Sequence, residues 1–196
     1  AYGSHHPHKP NLDALRELLR GLRRLADKYG GRIFFGSFPS EIRPEFVNEE
    51  TIRLLRRYVD NARLIIGAQS GSERTLKRLR RGHTVEDVVE AVKVASAGGF
   101  EVDVDFIFGF PAEIEPDEEV VRSLEVAEEL AALGARIHGH WFMPLPGTPL
   151  EGRPPRKLPR RLFGRLRKLL GKSGYGHWQG QIELGRRMAA LVSAKK

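Results

Sequence analysis

The chain has 196 residues, of which 40% are hydrophobic and 30% are charged, and it contains no cysteine. This size and composition are typical of one globular domain with a sizeable core. The absence of cysteine excludes disulfides, thiolate zinc sites and an iron–sulfur cluster held by this chain alone. No apolar run approaches the roughly 20 residues of a membrane span, and the first ten residues lack the core of a secretory signal. We therefore expect a cytoplasmic location.

The formal net charge of +8 is concentrated in one segment. Residues 151–172 contain nine Lys or Arg and a single Glu, whereas the rest of the chain has equal numbers of basic and acidic side chains. Two interpretations stay open: an amphipathic helix that packs on the fold with solvated arginines, and a surface that binds RNA or a protein through residues 153–172. The helix interpretation rests on the spacing of Leu158, Leu162, Leu166, Leu169 and Leu170.

Helical and strand patterns alternate along the chain. The periodicity and the capping residues predict helices over 12–28, 48–59, 72–79, 85–97 and 116–133, and strands over 33–35, 64–66, 102–108 and 136–142. Short apolar strands that alternate with helices are typical of a parallel sheet covered by helices. We therefore predict an α/β fold, a partial (incomplete) TIM-type βα barrel over residues 1–150, followed over residues 151–196 by a basic linker and C-terminal helices that pack on it.

The strand count indicates a fragment. Four or five strands are too few for a closed eight-stranded barrel, which takes about 250 residues, and the first residue is Ala rather than Met. Polar or glycine-rich loops follow the predicted strands, and ligands of parallel sheets bind at this carboxyl edge. The sequence therefore predicts one shared site, built from FPSEIRP (38–44), GAQSGSE (67–73), GFPAE (109–113) and MPLPGTP (143–149).

These loops resemble, in order and spacing, those of one enzyme family. GAQSGS at 67–72, RGHT at 81–84 and VDFIFGFPAE at 104–113 are similar to strand-end motifs of radical S-adenosylmethionine (SAM) enzymes with the Elp3-like, methylthiotransferase-like barrel. IHGHWFMPLPGTP at 137–149 further resembles cobalamin-domain-associated members whose substrate is unassigned. The resemblance covers residues 1–150 and, more weakly, 175–181.

The resemblance implies a mechanism and its cofactors. In the family a Cys-x3-Cys-x2-Cys loop holds a [4Fe-4S] cluster, which binds SAM and cleaves it to a 5′-deoxyadenosyl radical that abstracts hydrogen from the substrate. Because this chain has no cysteine, we expect the later part of such an enzyme, inactive alone, and a barrel fragment without any activity stays open as an alternative. We expect the cluster loop in a missing N-terminal half, and we leave open a cobalamin-binding domain upstream.

The resemblance also implies which residues bind SAM. Glu41 and Asp105 match carboxylates that accept hydrogen bonds from the ribose hydroxyls, which suits a group able to accept two. Arg81 matches the arginine that pairs with the SAM carboxylate. The other matches are polar contacts or positions that line the adenine: Gln69, Ser70, Ile107, Gly109, Met143 and Pro144.

Several of these residues also have a purely structural interpretation. Residues 69–73 read alone as a strand-to-helix turn with a capping serine. His138 and His140 alternate onto one strand face at the spacing of a metal-binding pair. No third ligand is evident near them in the sequence, so we predict that they line the substrate pocket and that no metal binds there. We interpret His5, His6 and His8 as part of an exposed loop.

Overall fold

The computed structural model describes His6 and residues 9–193, so His5 and His8 lie outside the described residues. Within the described part, no helix combines the length and the apolar character that crossing a membrane would require. The elements in chain order are α1 (Leu12–Tyr29), a 3₁₀ turn (Pro44–Phe46), α2 (Glu49–Tyr58), β1 (Arg63–Gln69), α3 (Glu73–Arg78), α4 (Val85–Ala97), β2 (Glu101–Phe108), α5 (Asp117–Ala132), β3 (Arg136–Trp141), α6 (Arg160–Ser173), β4 (Gly174–Tyr175) and α7 (Trp178–Ser193).

The strands form one parallel sheet in the order β1-β2-β3-β4, and the sheet does not close into a barrel. Helices separate the strands along the chain. A parallel sheet requires such connections, because the chain must return to the same edge of the sheet before the next strand begins. This confirms the predicted α/β fold and the partial barrel.

Polar side chains cap the N-termini of four helices at positions that the sequence predicted. Asn11, Asn48, Ser72 and Thr84 each accept a hydrogen bond from a backbone N–H in the first turn of the helix that follows. Such a cap satisfies a donor that the helix itself leaves unpaired. Gly30 ends α1 in the left-handed conformation, with φ of 71°, which glycine adopts without steric cost.

The prediction of a strand over residues 33–35 is wrong, because these residues form no regular strand. Side chains take the place of the neighbouring strand. Asp60 Oδ2 accepts from the backbone N–H of Ile33 at 2.6 Å, and Asn61 Oδ1 accepts from that of Phe35 at 3.0 Å. The Asn61 amide also donates to the Phe35 carbonyl at 3.1 Å. The backbone N–H of Asp60 also donates to the Ile33 carbonyl at 2.8 Å. The segment is therefore held mainly by side-chain hydrogen bonds, without a regular backbone ladder.

The chain divides into two compact units. The first unit comprises residues 1–68, 82–104 and 133–135. In its described part α1 packs on α2, and α2 packs on α4. Its core is mainly aliphatic, and the fully buried side chains include Leu19, Leu55, Leu64, Ile66, Ala91 and Val104.

The second unit comprises residues 69–81, 105–132 and 136–196. Helix α6 packs on α5 and on β3, and Gly139 of β3 leaves room for Leu170, whose Cδ1 would lie 2.6 Å from a Cβ at that position. The predicted leucine stripe of α6 is confirmed by the burial of Leu162, Leu166, Leu169 and Leu170. Strand β4 adds a two-residue parallel pairing to β3, with Tyr175 opposite His138. The domain boundary predicted at residue 150 stays a prediction.

Candidate functional site

The second unit brings one carboxylate and two imidazoles together on one face of the sheet. His138 Nδ1 donates to Asp105 Oδ1 at 2.8 Å, and His140 Nε2 lies 3.6 Å from Oδ2 of the same carboxylate. The imidazole centroids are 4.0 Å apart. Alternation places these half-buried side chains on the face opposite Gly139, which contacts α6. The sequence predicted the shared face of the histidines, but it did not place Asp105 beside them.

The imidazoles control the charge on Asp105. Burial raises the pKa of the Asp105 carboxyl, but the hydrogen bonds and charges of His138 and His140 lower it more, and the pKa lies below its usual range. Among the described residues, no lysine or arginine lies within ion-pair distance of this carboxylate. Asp105 is therefore an ionised, half-buried group whose close polar partners are two imidazoles.

Tyr175 and Gln181, which follow β3 in the chain, contact the two histidines. The Tyr175 ring stacks on the His138 ring with centroids 4.3 Å apart and planes 5° apart, and the Arg136 guanidinium lies 4.4 Å from the Tyr175 centroid. Gln181 Oε1 accepts from the backbone N–H of Trp141 at 2.7 Å, which leaves Gln181 Nε2 3.4 Å from His140 Nδ1. The unusual glycine and aromatic content of residues 174–178 was the one sequence feature that could have indicated this role.

The loop after β1 is tied down by buried hydrogen bonds. Ser70 Oγ donates to Glu115 Oε1 at 2.9 Å, and Ser123 Oγ donates to the same oxygen at 2.9 Å. The backbone N–H of Gly71 donates to Ser123 Oγ at 3.0 Å. Ser70, 1% exposed, thus serves this network, and its predicted contact with SAM stays a prediction.

Glu115 is a fully buried carboxyl that sequence reasoning missed. Burial raises the pKa of Glu115 to about 7, although its hydrogen bonds with Ser70 and Ser123 act in the opposite direction. Within the described residues, Glu115 Oε2 has no hydrogen-bond partner. Because a charged carboxylate is costly in such a place, the protonated form prevails over the acid side of neutrality.

Three of the other predicted SAM residues, Gln69, Ile107 and Gly109, lie at or next to the carboxyl ends of β1 and β2, whereas Arg81 follows α3 and Met143 follows β3. Gln69 is buried with a φ of 67°, Arg81 and Ile107 are half-buried, and Met143 is half-buried just after β3. Gly109 has a φ of 79°, and a Cβ there would lie 2.3 Å from the Trp141 indole. The structure therefore explains Gly109 by its contact with Trp141, and its role at adenine stays a prediction.

Glu41, His83 and Asp103 belong to the first unit. Glu41 is exposed, lines a cavity of 240 Å³, and covers Gly67 so closely that a Cβ there would lie 2.4 Å from its carboxyl carbon. His83, of the RGHT motif, is buried with Nε2 3.1 Å from the Ala68 carbonyl oxygen. Asp103 is buried 3.5 Å from Arg63 Nε. The ribose role predicted for Glu41 stays a prediction.

The fold defines a class of protein. The solved structure of methylornithine synthase covers 85% of this chain and 45% of its own with a TM-score of 0.58 at 18% identity. Coproporphyrinogen III oxidase from Escherichia coli, a radical SAM enzyme, covers 91% and 37% with a TM-score of 0.52 at 17% identity. At these identities the likeness shows an open, barrel-type α/β fold.

Residues 2–127 match the family described as the radical SAM superfamily, and this chain belongs to that superfamily. Threonylcarbamoyladenosine tRNA methylthiotransferase from Thermotoga maritima is 34% identical over 142 residues, which cover 69% of this chain and 30% of that protein. An uncharacterized protein of Methanocaldococcus jannaschii is 30% identical over 138 residues, 70% of this chain and 26% of that protein. The chain thus spans less than a third of these relatives.

The residues present do not fit the cluster of the superfamily. A [4Fe-4S] cluster is held by thiolates, and this chain has none. Binding of SAM requires different groups: hydrogen-bond acceptors for its ribose diol, a cation for its carboxylate and a surface that contacts its adenine. The second unit includes a glutamine at the end of β1, an arginine between α3 and α4, and half-buried apolar side chains at or after β2 and β3, which are compatible with SAM.

Proposed function

We propose that this chain forms part of the SAM-binding surface and of the substrate pocket of a radical SAM enzyme, and that it is inactive without cysteines from outside its sequence. The observation that carries the proposal is the position of Gln69 and Ile107, which lie at the carboxyl ends of β1 and β2, two neighbouring strands of the sheet. Arg81 is half-buried in the segment between α3 and α4. Bound SAM supplies the 5′-deoxyadenosyl radical in this superfamily.

In this proposal each residue has a limited task. Arg81 pairs with the SAM carboxylate, for which a planar guanidinium is the suitable cation. Ile107 and Met143 cover the adenine with apolar surface. His138 and His140 lie on the face of β3 opposite Gly139 and line the substrate side. Asp105 is already held by the two imidazoles, so the SAM proposal does not depend on it.

Arg81→Ala should weaken SAM binding about tenfold to a hundredfold, because a hydrogen bond between two charged groups is worth roughly 1.5–3 kcal/mol. Equilibrium dialysis of the chain against SAM measures this, and we expect an about millimolar or tighter dissociation constant for the unchanged chain. Arg80→Ala is the matched control, since it removes the same charge from the neighbouring, exposed position. Equal affinities of the two variants would contradict the role of Arg81.

A second candidate function, RNA binding, is favoured by the charges around α6. Arg153, Arg156 and Arg165 form ion pairs with acidic residues of the second unit. Six further cations of the same segment are exposed and form no ion pair within the described residues: Lys157, Arg160, Arg161, Arg167, Lys168 and Lys172. Such a group of exposed cations suits a phosphate backbone, and relatives include tRNA methylthiotransferases.

If this surface binds RNA, the double variant Arg160→Gln/Arg167→Gln should bind more weakly than the unchanged chain. Its slope of log affinity against log salt should also be shallower by about 0.7–0.9 for each lost phosphate contact. Filter binding with a transfer RNA at several salt concentrations measures both quantities. Arg20→Gln/Arg24→Gln removes two exposed charges from α1 and should change neither. Identical slopes for both double variants would remove this candidate.

A further inference from the structure

Asp105, His138 and His140 are the one group of three ligand-type side chains in the described residues whose ligand atoms all lie within 4.8 Å of one another. They come from β2 and β3, which are adjacent in the sheet. None of them contacts a lysine or arginine within ion-pair distance in the described part of the chain. The proposed function gives the two histidines only a place in the lining of the substrate side, and it does not use Asp105.

The spacing of the trio is close to that of a metal site. Ligand bonds of roughly 2.0–2.2 Å in tetrahedral geometry separate neighbouring ligand atoms by about 3.4 Å. The nitrogen–oxygen distances are 2.8 Å for His138 and 3.6 Å for His140. Small side-chain rotations would therefore bring both imidazoles and one carboxylate oxygen to bonding distance from a single ion.

The charge of the trio also favours a cation. A half-buried carboxylate is costly unless it is paired, and here its pairing partners are two imidazoles. A divalent ion would supply the missing positive charge. It would also replace the hydrogen bond from His138 Nδ1 with a coordinate bond.

The surroundings hold the histidines in place. Tyr175 stacks on His138, and β4 pairs with β3 at this very position. Gln181 Nε2 lies 3.4 Å from His140 Nδ1, the outer limit of a hydrogen bond. Coordination through His140 Nε2 places the ring proton on Nδ1, so we expect the Gln181 side chain to shift until Oε1, which already accepts from the Trp141 N–H, also faces Nδ1.

We propose that Asp105, His138 and His140 bind one divalent first-row transition-metal ion and leave a coordination position open. Two imidazoles and one carboxylate select ions such as Zn²⁺, Fe²⁺ or Co²⁺ over Mg²⁺ and Ca²⁺, which prefer oxygen ligands. Three protein ligands with an open position are the arrangement of sites that bind water or substrate at the metal. This inference goes beyond SAM binding and assigns Asp105 to the metal instead of the ribose.

Titration with Co²⁺, followed by its visible ligand-field absorption, tests the proposal on the chain alone. The parent for the titration carries His5→Ala, His6→Ala and His8→Ala, so that the N-terminal histidines cannot bind the ion. We expect one equivalent of Co²⁺ to bind this parent, Zn²⁺ to displace it and Mg²⁺ to leave it in place. His138→Ala and Asp105→Asn should each weaken binding at least a hundredfold, whereas His177→Ala, at an exposed position outside the trio, should not.

A further variant separates ligation from a merely structural role. Gln181→Glu should bind Co²⁺ about tenfold or more tightly than the parent. Its carboxylate can accept the Nδ1 proton of a metal-bound His140, and such partners increase metal affinity by this amount. The proposal is overturned if the parent binds no stoichiometric Co²⁺, or if a folded His138→Ala chain binds it as tightly. Either outcome leaves the dialysis result for Arg81 unaffected, so the two proposals fail separately.

Discussion

Glu115→Gln is expected to remove a pH dependence of stability that amounts to about 3 kcal/mol between pH 4.5 and 7. In the folded chain burial raises the pKa of Glu115 to about 7 from an ordinary value of 4.5, and each unit of difference corresponds to about 1.4 kcal/mol. Because the folded state binds the proton more tightly, this contribution is fully present below pH 4.5. It is lost as the pH rises to 7 and stays lost above it.

Urea unfolding followed by circular dichroism at pH 5 and at pH 8 measures the effect. The free energy of unfolding of the unchanged chain should fall between these values by about 2–3 kcal/mol more than that of Glu115→Gln. Glu113→Gln, at an exposed carboxylate two residues away, is the control and should preserve the fall. An unchanged pH dependence in Glu115→Gln would show that the buried carboxyl is not the group that titrates.

Gly176→Ala should destabilise the chain by about 2–4 kcal/mol. Gly176 has a φ of 134°, and an added Cβ would lie 2.2 Å from the carbonyl oxygen of Gly139. Strained backbone and overpacking each cost on the order of 1–3 kcal/mol, and a strand carbonyl cannot turn away as a side chain can. We expect the substitution also to displace Tyr175 from the His138 ring.

Gly180→Ala is the matched control for this prediction. Gly180 lies in α7 with nothing within 4 Å of its Cβ position, so alanine should stabilise the helix there by up to about 1 kcal/mol. Urea unfolding by circular dichroism compares the two variants. A Gly176→Ala chain as stable as Gly180→Ala would mean that the segment between β4 and α7 shifts freely and does not hold the histidines.

Local sequence patterns predicted most of the fold. Helix α4 has the predicted bounds, because Thr84 and Asp87 form a reciprocal cap at its start, and such caps depend on residues three positions apart. The leucine spacing of α6 predicted its buried face. Both features are local in the chain, so they can be read without knowledge of the tertiary structure.

Features that depend on distant residues were not predictable. The segment at 33–35 is apolar like a strand, yet Asp60 and Asn61, more than 25 positions away, bind its backbone. Strand β4 has two residues, too few for any periodicity. The contact between Asp105 and His138 spans 33 positions and depends on which strands are neighbours, which the alternation within each strand does not determine.

The two tryptophans of the chain, Trp141 and Trp178, are both buried in the second unit with ring centroids 6.3 Å apart. The segments of the first unit contain no tryptophan. Intrinsic fluorescence therefore reports the second unit alone, whereas circular dichroism averages over the helices of both. One urea titration read by both signals would show whether the units unfold as one cooperative body, with coincident transitions, or as two bodies with separate stabilities.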